Sequence, residues 1–219
     1  MGNPKSTTAQ RRIAAACAGA IAFGLGMLPA TAAAAPAEQA APDLNGDGRP
    51  DSAALEPVGD GSQQRLTFTV DGRTTERVLP GDAYAGVQPM RITDVNGDGK
   101  QEVLVTESVG ANTLTFELAD LGPDGGVRLM TTSDGQPMPL HEGGGIAARS
   151  GYECAPAGQG RMLITLGATN ESPTPTPAYD GSRIGWDVRD GVAAQIDEYP
   201  FQGVPQDDPV LHVDPATCS

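Results

Sequence analysis

Two nine-residue segments of this 219-residue chain are near copies of one another, Asp43-Leu-Asn-Gly-Asp-Gly-Arg-Pro-Asp51 and Asp94-Val-Asn-Gly-Asp-Gly-Lys-Gln-Glu102. In each, oxygen-bearing side chains stand at positions 1, 3, 5 and 9, and a glycine at position 6. Gly48 and Gly99 therefore mark sharp turns, expected at positive φ. Alternate residues can then present oxygen to one point. In the first loop these are the side chains of Asp43, Asn45 and Asp47, the carbonyl of Arg49, and the carboxylate of Asp51. In the second they are Asp94, Asn96 and Asp98, the carbonyl of Lys100, and Glu102. Ca²⁺ takes 6–8 oxygen ligands and tolerates irregular geometry, so the reading is two Ca²⁺ sites, one per loop. The plain alternative is a pair of Asn-Gly-Asp-Gly turns without metal; against it, four clustered oxygen side chains repel one another when no cation lies among them.

An EF-hand places Glu at position 12 of its loop and continues into a helix. Here Ala54 and Val105 stand at position 12, the closing acid comes at position 9, and β-type sequence follows. Asp51-Ser-Ala-Ala-Leu55 and Glu102-Val-Leu-Val-Thr106 come first, then Arg65–Val70 and Thr113–Leu118, in which apolar and polar residues alternate. Asp71-Gly72 turns the first unit into Thr74–Leu79, and a longer turn over 122–126 leads the second into Val127–Met130. The unit of loop, strand, turn, strand, turn, strand repeats after 51 residues, a period typical of repeat architectures.

A third, degenerate copy is read in Ala157-Gly-Gln-Gly-Arg-Met-Leu-Ile-Thr-Leu166, where Ala155, Ala157 and Gln159 occupy the ligand positions and metal binding is not expected. It closes with a hairpin, Ile184–Arg189, turn Asp190-Gly191, Val192–Ile196. Trp186 alternates inward with Ile184, and Ser172-Pro-Thr-Pro-Thr-Pro177 is expected as an exposed loop.

The loops and the strands after them, Asp43–Leu55 and Asp94–Val105, resemble the FG-GAP/VCBS repeat family, whose loops run D-x-[DN]-x-D-G-x-x-[DE] into an apolar strand. The resemblance implies Ca²⁺ in each loop and blades of antiparallel strands, as in integrin α-chain propellers and exported bacterial proteins. It covers residues 43–131, and with the degenerate copy reaches 197. Two intact loops are too few for a seven-bladed ring, and no F-G…G-A-P segment is evident. The expected fold is all-β: two intact and one degenerate antiparallel β-meanders, blade-like but not a closed propeller.

The N-terminus reads as a cleaved export signal over residues 1–35. Lys5, Arg11 and Arg12 precede an apolar run, Ile13–Leu28, and an alanine tract with A-x-A registers. Sec export is the first reading; Arg11-Arg12 leaves the twin-arginine route open. Cys17 lies too early for a lipoprotein anchor. Residues 36–42 read as a flexible lead-in and 43–219 as one domain, with repeats over 43–93, 94–150 and 151–219. Loss of the signal takes the formal charge from −14 to −17, which disfavours nucleic acid and anionic lipid as partners. Cys154 and Cys218 then remain, an even number in an oxidising compartment, and are expected to bridge. Closing a loop of about 65 residues would stabilise by roughly 4 kcal/mol.

No nucleophile elbow or phosphate loop is present. His141 and His212 are the only histidines and read as surface or loop residues. Ser150 lies in a glycine-rich stretch, and aromatic residues make up only 4% of the chain, few for a glycan groove. The expected protein is a secreted, calcium-stabilised β-repeat module without catalysis, acting on an unidentified extracellular or cell-wall ligand. Two alternatives stand beside it: an exported hydrolase with structural calcium, in which Glu153, His141 and Ser150 would be tested, and an adhesion or glycan-binding module.

Overall fold

Alternation decides the first sheet. Along Gln63–Val70 (β3) the residues Gln64, Leu66 and Phe68 are buried, and along Ser52–Val58 (β2) Ala53 and Leu55 are. Arg73–Pro80 (β4) is exposed apart from a partly buried Thr75 and a buried Leu79, as an edge strand should be. Glu38–Ala40 (β1) pairs with β2, giving an antiparallel sheet in the order β1-β2-β3-β4. The computed structural model describes residues 37–158, 160–170 and 177–219. The expected signal (1–35), with Lys5, Arg11, Arg12 and Cys17, lies outside them, as do Gln159 and most of the proline-rich segment.

The second unit repeats the first. Arg91–Thr93 (β5), Glu102–Val109 (β6), Thr113–Leu121 (β7) and Val127–Leu129 (β8) form the same antiparallel succession. The chain continues through Thr131–Thr132 (β9), Leu140–Gly143 (β10), Ala148–Ala157 (β11), Gly160–Thr169 (β12), Ala178–Arg189 (β13) and Val192–Pro205 (β14) to two 3₁₀ turns, Pro209–Leu211 and Pro215–Cys218. The larger sheet runs β5-β6-β7-β10-β11-β12-β13-β14-β9, with β8 also on β7; among the described strands only β9 and β14 pair in parallel. Both hairpins predicted at Asp-Gly are present. Asp71 and Gly72, and Asp190 and Gly191, all have positive φ, the backbone of the two-residue turn that suits strand twist. The fold among the described residues is β throughout, without an α-helix, a closed barrel or a propeller.

Strand β6 explains itself by position. Its residues 102–106 are all buried because it lies between two cores. On one side Val103, Val105, Ala119 and Val127 meet Leu44, Leu55, Leu66, Phe68 and Leu79 of the first sheet. On the other, Leu104, Phe116 and Leu118 join Leu140, Tyr152, Leu163, Val188 and the disulfide sulfurs. Gln64 ties the sheets across the first core: its buried Nε2 donates to the carbonyls of Pro80 and Thr106, both at 2.7 Å.

Three sequence expectations change. Residues 38–40, read within a flexible lead-in, form β1, and its counterpart β5 pairs with β6; each acidic loop therefore joins the two strands of a hairpin rather than starting a unit. The boundary drawn at 150/151 falls inside β11. The third meander is present as β11–β14, but its aligned loop is not a loop: Ala155–Ala157 continue β11, and Ala157 pairs directly with Gly160. Without carboxylates to accept backbone N–H groups, that segment satisfies its amides in a strand ladder instead.

Candidate metal-binding loops

The two loops have one hydrogen-bond plan. At position 1, Asp43 Oδ1 accepts from Gly46 N–H (2.8 Å) and Oδ2 from Gly48 N–H (2.7 Å). Asp94 does the same with Gly97 (2.7 Å) and Gly99 (3.3 Å). At position 3, Asn45 and Asn96 accept from the N–H groups of Asp47 and Asp98, both at 3.0 Å. At position 5, Asp47 and Asp98 accept from Arg49 (2.9 Å) and Lys100 (2.8 Å). The position-9 acid closes each loop: Asp51 accepts from Leu44 N–H and Glu102 from Val95 N–H, both at 3.0 Å. Gly48 and Gly99 have the expected positive φ, and so do Gly46 and Gly97 at position 4.

The loops differ where their side chains differ. Arg49 folds back on Asp47, with Nη2 at 2.6 Å from Oδ2, and holds that exposed carboxyl below its usual range. In the second loop Asn96 Nδ2 approaches Asp98 Oδ2 at 3.2 Å instead. Asp51 is half-buried, whereas Glu102 is only 5% exposed. Burial pushes the Glu102 carboxyl up to about 8; the Val95 N–H opposes this, and the charges of Asp94, Asp98 and Asp120 add to it.

The loops also stand side by side, which the sequence did not reveal. Gln101, at position 8 of the second loop, donates its N–H to the Asp43 carbonyl and accepts the Asp43 N–H on Oε1, both at 2.7 Å. A Cβ on Gly46 would come within 3.1 Å of Lys100 Cγ. The second loop meets the β11–β12 turn in the same way: a Cβ on Gly97 would touch Gly160 and Arg161 at 3.1 Å, and Arg161 N–H donates to the Asn96 carbonyl (2.7 Å). The degenerate third segment thus keeps its place in the row, although it has lost the loop. A cavity of about 150 Å³ opens between the two loops, lined by Asn45, Asn96, Asp98, Glu102 and, opposite them, Asp120 paired with Arg128.

The disulfide completes the second site's support. Cys154 and Cys218 are bridged, with Cα atoms 4.9 Å apart. The Cys218 carbonyl accepts from Asp94 N–H (2.7 Å) and Thr93 Oγ1 (2.8 Å), and Arg161 Nη1 donates to the Asp94 carbonyl (2.9 Å). The only sequence sign of Gln101 and Arg161 was their alignment near the ends of the copied segments.

The donor set suits a hard cation: carboxylates at positions 1, 5 and 9, an amide oxygen at 3, and a buried glutamate among like charges. Among the described residues no three His, Cys, Asp or Glu side chains are already gathered as a metal cluster; the carboxylates lie against amides of their own loops. Of the residues a hydrolase would use, His141, Ser150 and Glu153 lie on the paired strands β10 and β11, and each has a partner of its own. His141 is exposed on β10 beside Thr115 (3.2 Å), Ser150 Oγ donates to the Gly143 carbonyl (3.4 Å), and Glu153 pairs with Arg183. His212 is exposed, its carbonyl accepting from Arg183. Trp186 packs against the core, and its indole N–H donates to Thr165 Oγ1 at 2.9 Å.

No curated protein and no solved structure matches the chain. The FG-GAP-like repeat family model matches residues 43–105, from the first acid of loop one through loop two into β6. Over that segment, with its two loops of one plan in an open β-repeat fold, the chain carries an FG-GAP-like repeat.

Proposed function

We propose that this chain is a secreted β-repeat protein whose two acidic loops bind Ca²⁺, with a structural or binding role outside the cell. The observation that carries the reading is the duplicated loop plan, in which three carboxylates and an asparagine per loop are held by the same backbone amides. Asp43, Asn45, Asp47, Asp51 and the Arg49 carbonyl would hold one ion; Asp94, Asn96, Asp98, Glu102 and the Lys100 carbonyl the other. A bound cation supplies positive charge where Glu102 is buried beside Asp94, Asp98 and Asp120, and binding to the folded state alone adds about 2.7 kcal/mol at a hundredfold excess over Kd.

The disulfide supports an oxidising compartment, and no helix of the described residues is long and apolar enough to cross a membrane. His141, Ser150 and Glu153 are bonded to Thr115, the Gly143 carbonyl and Arg183 rather than to one another, which favours a non-catalytic role. Calorimetric titration of the protein with Ca²⁺ tests the reading: two sites are expected, with a Tm that rises with Ca²⁺ and falls with chelator. No binding heat and an unchanged Tm would reduce the loops to hydrogen-bonded turns.

A further inference from the structure

We propose that Gln101 couples the two loops, so that filling the second prepares the first for its cation; this rests on the calcium reading above. The geometry is specific. Gln101 lies between the position-7 carbonyl of Lys100 and the position-9 carboxylate of Glu102, both in the donor set of loop two. Its main-chain N–H and side-chain Oε1 hold the carbonyl and the N–H of Asp43, both at 2.7 Å. Asp43 is the first donor of loop one, and its carboxylate gathers the amides of Gly46, Asp47 and Gly48. A cation that fixes positions 7 and 9 of loop two therefore fixes Gln101, and Gln101 fixes the residue from which loop one is built.

The contact at Gly46 adds a second connection. Lys100 lies where a side chain at position 46 would project, so the neighbouring loop reads the backbone at position 4 directly. Position 8 of loop one cannot play the part of Gln101. It is Pro50, which has no N–H to donate and no side-chain oxygen. The coupling pair thus occurs once, at the junction between the two loops. By linkage the effect is reciprocal: filling loop one raises the affinity of loop two by the same factor.

The test is calorimetric Ca²⁺ titration of the full-length protein, of Gln101→Ala, and of Asp98→Asn, with folding of each checked by circular dichroism and by urea unfolding in chelator. Wild type is expected to bind two ions cooperatively, with the second ion about tenfold tighter than it binds alone, within the usual range of coupling between sites. Gln101→Ala should keep two sites and lose the cooperativity. Asp98→Asn should leave loop one as a single site, about tenfold weaker than in the loaded wild type. Two independent sites in wild type, unchanged in Gln101→Ala, would overturn the coupling and leave the calcium reading standing. No binding in wild type would overturn both. If Gln101→Ala does not fold, a loop-one site of unchanged affinity in Asp98→Asn overturns the coupling by itself.

Discussion

Glu117 on β7 is a carboxylate in the wrong medium, and replacing it should make the protein more stable. It is 7% exposed, on the face of β7 that meets the first sheet, and its Oε2 is buried without a hydrogen-bond partner. Burial raises its pKa above the ordinary 4.5, the charge of Glu107 adds to this, and Arg77 opposes it. A raised carboxyl pKa means that the folded state binds the proton more tightly than the unfolded state. The ionised group therefore costs stability above the folded pKa, and that cost is relieved as the pH falls toward the unfolded value. Glu117→Gln keeps the shape and removes the charge. Leaving a buried polar group unsatisfied costs about 1–3 kcal/mol, and more for a charge; the amide keeps the neutral part of that cost, so the variant should be more stable than wild type at pH 7.5 by the remainder, about 1 kcal/mol. For a chain of this size the gain corresponds to roughly 2–4 °C in Tm. Urea unfolding of both proteins at pH 7.5 and at pH 4, in chelator, measures the difference. The gap should close at the lower pH, where wild type carries the proton. A gap that does not change with pH, or a variant less stable at pH 7.5, would refute the reasoning.

Two further outcomes follow from the geometry. Gly97→Ala should destabilise more than Gly99→Ala: both have positive φ, but only at Gly97 would the new methyl press on backbone, at Gly160 and Arg161. Thermal melts should place the first at about 1–3 kcal/mol and the second near 1 kcal/mol. Replacing Cys154 and Cys218 together by alanine should cost about 4 kcal/mol in urea unfolding, since the bridge closes a separation of 64 residues, and a loss below about 1 kcal/mol would contradict it.

What the sequence disclosed was whatever is local. Alternation placed β3 and β7, Asp-Gly placed two hairpin turns, and acids at alternate positions placed both loops with their glycines. The short strands β1 and β5 escaped because three residues carry no period; only their pairing with β2 and β6 makes them strands. The third segment misled because two glycines and a basic residue preserve its packing place against Gly97, while the fold at that place depends on ladder partners across β11 and β12. In the site, Gln101 was invisible because its partner Asp43 lies 58 residues away, and Arg161 is farther still from Asp94, at 67.

The disulfide also has a mechanical meaning. A pull on the C-terminus is not borne by β14, the last strand before it. It passes from Cys218 through the sulfurs to Cys154, near the centre of the larger sheet, where β11 is hydrogen-bonded to β12 along its length. The chain between the cysteines, a sequence separation of 64 and roughly 220 Å when extended, is shielded from that load. A protein tethered by this end would lengthen little under tension, and the force would reach Thr93, Asp94 and the second loop directly through the Cys218 carbonyl.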